Sequence, residues 1–523
     1  MKRRHFLRHT ASAGAGILLS SMFNGFGVKA MSSLPLPIAL RHQNTDTDHV
    51  LVLIQLGGGN DGLNTVVPID QFNKLAYARP QVLLPEEQLL PLNGVASIKL
   101  HPAMEAMQQL YDEGKVQIIQ SVGYPEPNYS HFRSTDIWLS ASDANQTLTT
   151  GWIGRYLNYE YANYPNDYPN EAMPDPLAIE IGYSLSLGLQ GPIINMGYTI
   201  SDPEYFYDLV AGIQAPVPET PAGEQLAYIR TIARQSRQYN AAVTAAYANI
   251  TAQQTYPDSF LAQQLKIVAR LVAGGLKTRV YVVHLDGFDT HDNQISEHSL
   301  LLEQLSSALL AFQNDLTFLG IADRVVTATI SEFGRRIIGN DSSGTDHGAA
   351  APMFIVGNAV NGGILGSNPI IPDNATEDDN LPMQYDFRSV YASLLQQWFC
   401  VPEADLPVTM LQDFPQLPII AEGTACMAVS VHEINQQAGR LLISAYPNPF
   451  VASTRIKFTT EGGHTLVQIF NSAGHLVKTL CNGLYAAGQY EFSFDAEPLP
   501  DGIYYCRLQN NSLQQVKPIV KVQ

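Results

Sequence analysis

Cysteine is scarce. The 523 residues carry four, Cys400, Cys426, Cys481 and Cys506, all in the last quarter. None stands in a CxxC spacing, which excludes a thiolate zinc cluster and a thioredoxin-type redox motif. Charge is thin at 15% of residues, and basic charge thinner still, with 30 Lys and Arg against 48 Asp and Glu and a net of -18. No dense basic block occurs after the first ten residues, so a nucleic-acid partner, which needs phosphate-neutralising cations, is excluded. No later segment has eighteen uninterrupted apolar residues, so no transmembrane helix is expected. GxxxxGK[ST] is absent, which excludes a P-loop. Apolar surface is not lacking: 45% hydrophobic residues rule out a disordered chain, and the length suits roughly three or four domains. The acidic excess favours solubility and suits cation binding.

Residues 1–30 read as a signal peptide. Lys2, Arg3, Arg4 and Arg8 form a charged start, a weakly apolar stretch runs from Ala11 to Phe26, and Val28-Lys29-Ala30 precedes Met31. Small residues at the first and third positions before Met31 suit cleavage there. The order Arg3-Arg4-His5-Phe6-Leu7 resembles the twin-arginine export signal, with an ordinary Sec signal as the alternative. At the other end, residues 441–523 read as short alternating strands, among them Arg455–Phe458, Leu466–Phe470, Tyr490–Phe494 and Ile503–Leu508, separated by turns such as Pro500-Asp-Gly502. This spacing predicts an all-β sandwich, in which Cys481 and Cys506 are candidates to pair across strands. Four cysteines allow three connectivities, and the sequence does not choose. Residues 411–440 are read as a linker.

Residues 48–410 alternate apolar strands with helical stretches. The strands are Val50–Leu56, Val116–Gln120, Leu177–Ile181, Val280–Leu285, Arg324–Ile330 and Met353–Val356. The helical runs are Ala103–Asp112, Gly223–Asn249, Ser259–Ala273, Glu297–Leu319 and Phe387–Phe399. Near-continuous apolar strands alternating with helices predict a mostly parallel α/β sheet sandwiched by helices. Polar chemistry in such sheets collects at the carboxyl ends of strands.

The segments after the strands carry that chemistry. Gly57-Gly-Gly-Asn-Asp61-Gly leaves Asp61 at a strand tip as a metal carboxylate or as part of an Asn-Asp-Gly turn. In Asn128-Tyr-Ser130-His131-Phe-Arg133, a helix starting near Ser130 places a hydroxyl at its positive end, as a nucleophile or as a cap. His131 and Arg133 are candidate anion contacts. Asp286-Gly-Phe-Asp289-Thr-His291-Asp292, Ser331-Glu332-Phe-Gly-Arg335 and Gly344-Thr-Asp346-His347-Gly348 bring carboxylates and imidazoles to neighbouring tips, which suits a hard-to-borderline divalent cation.

Two resemblances follow. Gly58-Gly-Asn-Asp-Gly-Leu-Asn-Thr65, Ser130-His-Phe132, Gly287-Phe-Asp-Thr-His291, Ser331-Glu-Phe-Gly-Arg335 and Gly344-Thr-Asp-His-Gly348 resemble the domain of unknown function 1501 family across about residues 48–405. That family is similar to the alkaline phosphatase and sulfatase superfamily. The resemblance implies metal ligands on the sheet edge, an attacking residue at a helix start, and a divalent ion such as zinc, calcium or magnesium. It implies Asp61, Asp289, His291, Glu332, Asp346 and His347 for the metal, Ser130 as nucleophile, and His131, Arg133 and Arg335 beside the reacting group. The set falls short of a two-metal site, because Phe333 stands where a histidine follows the carboxylate and the Asp289–His291 spacing is two rather than four. No Cys-x-Pro-x-Arg occurs, which disfavours a formylglycine sulfatase. Tyr446-Pro-Asn-Pro-Phe450, Gly474, Leu499-Pro-Asp-Gly-Ile-Tyr504 and Lys517 to Lys521 resemble the type IX secretion sorting domain, which implies the secretion machinery as partner and a destination at the cell surface or outside it.

The expected function is therefore an exported metal-dependent hydrolase of phosphate or sulfate esters, on a small-molecule or glycan substrate. The alternative is a non-catalytic secreted or surface-attached binding protein on the same fold. The run Tyr156-Leu-Asn-Tyr-Glu-Tyr-Ala-Asn-Tyr-Pro-Asn-Asp-Tyr168 serves that alternative as a loop for stacking on sugars, or is an ordinary surface insertion.

Overall fold

Val50 to Leu56 is apolar at nearly every position because the strand it forms is covered on both faces and flanked by strands on both edges. The computed structural model describes residues 47–201 except 162, 235–421 except 237, 426, and 443–522 except 449, 461, 472–475, 511 and 512. The described residues up to 426 form one compact unit and those from 443 a second. The signal-peptide reading of residues 1–30 and most of the 411–440 linker lie outside the described residues.

The first unit is built on a nine-stranded sheet. Its strands include β1 (Val50–Gly57), β2 (Val116–Gly123), β3 (Ala178–Ile181), β4 (Gly197–Ile200), β5 (Val280–Asp286) and β6 (Val325–Ser331). A hairpin, β7 (Gly334–Gly339) and β8 (Thr345–Gly348), leads into β9 (Ala351–Val356), with β10 (Gly363–Leu365) at one edge. The order is β10-β2-β9-β6-β1-β5-β3-β4, and the two-residue strand Tyr385–Asp386 also pairs with β2. Pairing is parallel except at β9, which runs against both β2 and β6. That reversal fixes the site. The start of β9 lies level with the end of β2, Ala351 opposite Val122, so a residue just before β9 reaches the rim where the parallel strands end.

Six helices of the unit matter here: α1 (Glu105–Asp112), α2 (His131–Ser140), α3 (Trp152–Glu160), α4 (Phe260–Ala273), α5 (Gln294–Phe318) and α6 (Phe387–Gln397). Leu261, Leu265 and Val268 of α4 and Leu302, Leu309 and Phe312 of α5 bury against Val52, Ile54, Tyr281 and Val283 of the sheet. The helices α2, α3 and α6 knit together through ring stacks, Trp138 on Phe387 at 4.3 Å and Trp152 on Tyr391 at 4.2 Å. Residues 235–236 and 238–249 are helical, and residues 223–234 and 237 of the expected 223–249 helix lie outside the described residues. In the Tyr-rich run, Tyr156 and Tyr159 are buried because α3 turns its aromatic residues into the core, Tyr161 just after it is buried too, and Tyr164 and Tyr168 in the loop beyond are half-buried. Cys400, just past α6, is bonded to Cys426, with a Cα–Cα distance of 5.4 Å.

The second unit is a pair of antiparallel sheets. One holds β11 (Ile443–Tyr446), β12 (Ser453–Thr460) and β15 (Gly488–Asp495), the other β13 (Gly463–Phe470), β14 (Leu476–Tyr485), β16 (Gly502–Asn510) and β17 (Leu513–Lys521). Alternate residues Ile456, Phe458, Val467, Ile469 and Leu508 form its core. The candidate Cys481–Cys506 bridge does not form, and both thiols are free and buried. Cys481 on β14 and Cys506 on β16 lie on opposite sides of β13. Two strand spacings, about 9–10 Å, exceed disulfide reach.

The class is thus the one the pattern predicts, an α/β sheet flanked by helices followed by an all-β tail.

Candidate metal centre

Four side chains from three strand ends converge at the rim. Asp289 and His291 come from the loop after β5, His131 opens α2, and His347 stands on β8 opposite Arg335. The loop after β1 lets them approach: Gly58 has φ +121°, and a Cβ there would lie 2.3 Å from the Asp289 amide nitrogen. Ligand atoms of His131, Asp289 and His347 all lie within 4.8 Å of one another. His347 Nε2 is 3.0 Å from Asp289 Oδ1 and 2.9 Å from His291 Nε2, and His291 Nε2 is 3.2 Å from the same Oδ1. His131 Nε2 is 3.3 Å from Asp289 Oδ2.

The opposite ring nitrogens explain why these atoms meet. His347 Nδ1 faces the Tyr129 carbonyl at 2.8 Å, His131 Nδ1 faces Glu332 Oε1 at 2.9 Å, and His291 Nδ1 faces Asp346 Oδ1 at 3.0 Å. An imidazole placed against an acceptor puts its hydrogen there and leaves the other nitrogen with a lone pair. Three Nε2 lone pairs therefore point at a carboxylate that has no hydrogen to give them. Such a concentration of acceptors is costly without a cation and suited to one.

Electrostatics keep the donors in ligand form. Burial raises Asp289, but the neighbouring His347 and the Arg335 guanidinium outweigh it and hold the carboxyl at about 2. Burial pushes His347 below its ordinary value of 6.5, against the pull of Asp289 and the Tyr129 carbonyl, so the ring is neutral at pH 7. Asp346 is held below the usual carboxylate range because Asn340 and His291 outweigh its burial.

Several expected roles change. Asp61 is not at the cluster. Its carboxylate is wholly buried, takes both oxygens' bonds from Arg79 Nη1 at 2.9 and 2.8 Å, and accepts from Gln294 Nε2 at 2.5 Å. Glu332 sits behind His131 rather than among the converging atoms: its Oε1 also accepts from the Gly58 N–H at 2.8 Å, and its Oε2 is buried with no hydrogen-bond partner. Asp346 likewise holds His291 from behind. Arg133 turns its Nη2 to the carbonyls of Asp143, Ala144 and Gln146. Arg335 is buried and donates to the carbonyls of Gly58, Gly59, Phe288 and Thr345 and to Asp289 Oδ1 at 2.8 Å. It pins the tips of β1 and β5 and orients Asp289. Ser130 is the N-cap residue of α2, exposed, and its hydroxyl does not cap the helix. His131, read from sequence as an anion contact, is a member of the cluster. The sequence signal for that was present, a histidine one residue inside a helix that starts beside a strand end, but the partner Glu332 is 201 residues away. Arg79 and Gln294 carry no local signal at all.

A cavity of about 390 Å³ opens beside the cluster, lined by Tyr129, His291, Arg336, Asp346, His347, Glu377 and Asp378. A second of about 260 Å³ shares Tyr129 and is lined further by Tyr124, Pro125, Pro127, Leu381, Pro382 and Met383 among others.

Residues 226–399 match the family model described as a protein of unknown function, DUF1501. The match bears out the family resemblance and spans Asp289, His291, Glu332, Asp346 and His347, while His131 lies before it. Residues 444–522 match the secretion system C-terminal sorting domain, which indicates export to the cell surface or the extracellular space. No curated relative matches. Among solved structures, a protein in the alkaline phosphatase superfamily from Vibrio parahaemolyticus is 8% identical with TM-score 0.33, covering 94% of this chain and 85% of that one. Ps i-CgsB is 8% identical with TM-score 0.32, over 79% of this chain and 83% of that one. A Bacteroides thetaiotaomicron protein described with the metabolism of glycosaminoglycans is 9% identical with TM-score 0.30, over 84% and 89%. At these scores they carry no argument about the site. No described helix is long and apolar enough to cross a membrane.

Proposed function

We propose that the first unit holds one divalent transition-metal ion on His131, His291, His347 and Asp289, and that the exported chain hydrolyses phosphate or sulfate esters there. The observation that carries this is the convergence of three Nε2 atoms on Asp289 while each Nδ1 rests on an oxygen. The donor set fits zinc or a similar borderline ion better than calcium or magnesium, which prefer all-oxygen cages. A bound ion would supply a Lewis acid for an ester oxygen and for the attacking hydroxyl. The chain's own residues do the rest. Glu332 and Asp346 hold two rings in register, Arg335 orients the carboxylate, and the free Ser130 hydroxyl next to His131 is the candidate nucleophile.

One observation favours the non-catalytic reading: Arg133 and Arg335 are spent on carbonyls, so neither grips an ester anion. Metal analysis of the full chain, with turnover of aryl phosphate and aryl sulfate esters, decides between the two. The expected result is one ion per chain, lost in His347→Ala, with turnover lost in Ser130→Ala. Metal without turnover of either ester would leave a metal-bearing binding protein.

A further inference from the structure

The two cavities share Tyr129, and residues 123–129 after β2 and residues 377–383 contribute to both; His291, Arg336, Asp346 and His347 complete the first and Ala349 the second. We read the pair as one groove that starts at His291 and His347 and passes Tyr129. Its two halves differ in chemistry. Near the cluster the lining is charged: Asp346, Glu377 and Asp378 against the guanidinium of Arg336. Beyond Tyr129 it is mainly apolar, with Tyr124, Leu381, Pro382 and Met383, and with Glu126 as its charged member.

Arg336 is held in place rather than free to swing. Its Nε donates to the His347 carbonyl at 3.3 Å, its Nη1 to the Glu377 carbonyl and, at 3.5 Å, to Asp378 Oδ1, and its guanidinium lies 5.8 Å from the Tyr129 ring centre. Nη2 has no partner among the described residues. Arg336, paired with Asp378, is thus the one arginine among the lining residues, against four carboxylates along the walls. Charges this close lie within a Debye length of about 8 Å and are poorly screened. A ligand with one anionic group is compensated by the ion and Arg336. A ligand carrying further anionic groups meets the carboxylates of Glu126, Glu377 and Asp378.

We propose that this groove receives the alcohol part of a monoester, and that this alcohol is uncharged, polar where it passes Tyr129 and apolar where it enters the second half. The inference rests on the hydrolase reading for its orientation, with the ester group at the cluster. It excludes polyanionic substrates such as heavily sulfated glycans.

The test uses the metal-loaded full chain, a 4-nitrophenyl monoester and a polysulfated oligosaccharide, reading both turnover and calorimetric binding. The aryl monoester is expected to bind at least about tenfold more tightly than the oligosaccharide at low salt, a difference near 1.4 kcal/mol. Met383→Trp, at a position 39% exposed, fills the apolar half and should raise KM or Kd for the aryl ester about tenfold with metal content unchanged. Asp378→Lys should strengthen oligosaccharide binding several-fold at low salt and not at high salt. Equal or tighter binding of the oligosaccharide by the unaltered chain, or no effect of Met383→Trp, overturns the proposal. Absence of turnover with the expected binding pattern sinks the hydrolase reading and leaves the groove standing.

Discussion

Two aspartates, Asp61 and Asp289, each follow a core strand of the same sheet and each lies within reach of a buried arginine, yet they end in opposite states. Asp61 is saturated: Arg79 and Gln294 bring hydrogens to both oxygens, and its carboxyl stays low because the Arg79 guanidinium, helped by Gln294, outweighs full burial. Asp289 has one arginine bond and otherwise faces ring nitrogens whose hydrogens are directed elsewhere. Asp61 is thus neutralised by the protein, while Asp289 and its imidazoles require something from outside. Sequence position says little about a strand-tip carboxylate. What decides is whether donors or acceptors surround it.

The sharpest way to break the comparison is to remove the internal cation. Arg79→Met leaves Asp61 ionised at a site of no exposure, and breaking a buried pair costs about 3–5 kcal/mol. Urea unfolding of the first unit should show a loss of that size, while the folded fraction still takes up metal. A loss below about 1 kcal/mol would mean Asp61 finds other partners and is available as a ligand after all.

The converse concerns the other centre. If the cluster needs an ion, adding zinc at a hundred times its Kd should stabilise the unit by about 2.7 kcal/mol. The thermal midpoint reports this. His347→Ala and Asp289→Ala should abolish the shift, and Arg79→Met should keep it above its own lowered baseline. A zinc-induced shift that survives both cluster variants places the ion elsewhere.

The fold was legible because its signal is local and repeated. Val50–Leu56 and Val280–Leu285 are apolar throughout, and strands with that pattern need partners on both edges and cover on both faces. The site was legible only in part. Asp289, His291 and His347 stood out because each lies next to a strand end, and they converge in the structure. What each side chain bonds to was not visible. Arg335 and Arg133 carry the charge expected of anion contacts, but their donors are consumed by carbonyls that come near only after folding. Asp61 was misassigned because Arg79, eighteen residues on, packs beneath it through a turn no motif marks. The reversal of β9 gave no sequence signal either, though it alone brings His347 to the rim.

The Asp61 side also makes an acid-stability statement. His298, hydrogen-bonded to Asn60, and His101 beside it are buried, and burial lowers them from 6.5 to about 3 and about 4. Both folded values lie below the unfolded one, so the unfolded chain binds more protons as pH falls. Stability from these neutral rings is whole above about pH 6.5 and is lost progressively down to about pH 4 and 3. Thermal midpoints between pH 7 and 4 should fall, and His298→Gln should flatten the fall. An unchanged slope in that variant would assign the acid limb to other groups.

The smallest effect is expected at Arg133, and it tests how far charge alone marks a functional residue. Its Nη2 ties the residues after α2 through three backbone carbonyls. Arg133→Ala should cost on the order of 1 kcal/mol of stability, the scale of a few partly solvated hydrogen bonds. It should leave the KM of an aryl ester unchanged, whereas Arg336→Ala, with a donor facing the groove, should raise it. A larger KM effect at Arg133 than at Arg336 would mean that ester binding uses the loop after α2 rather than the groove past Tyr129.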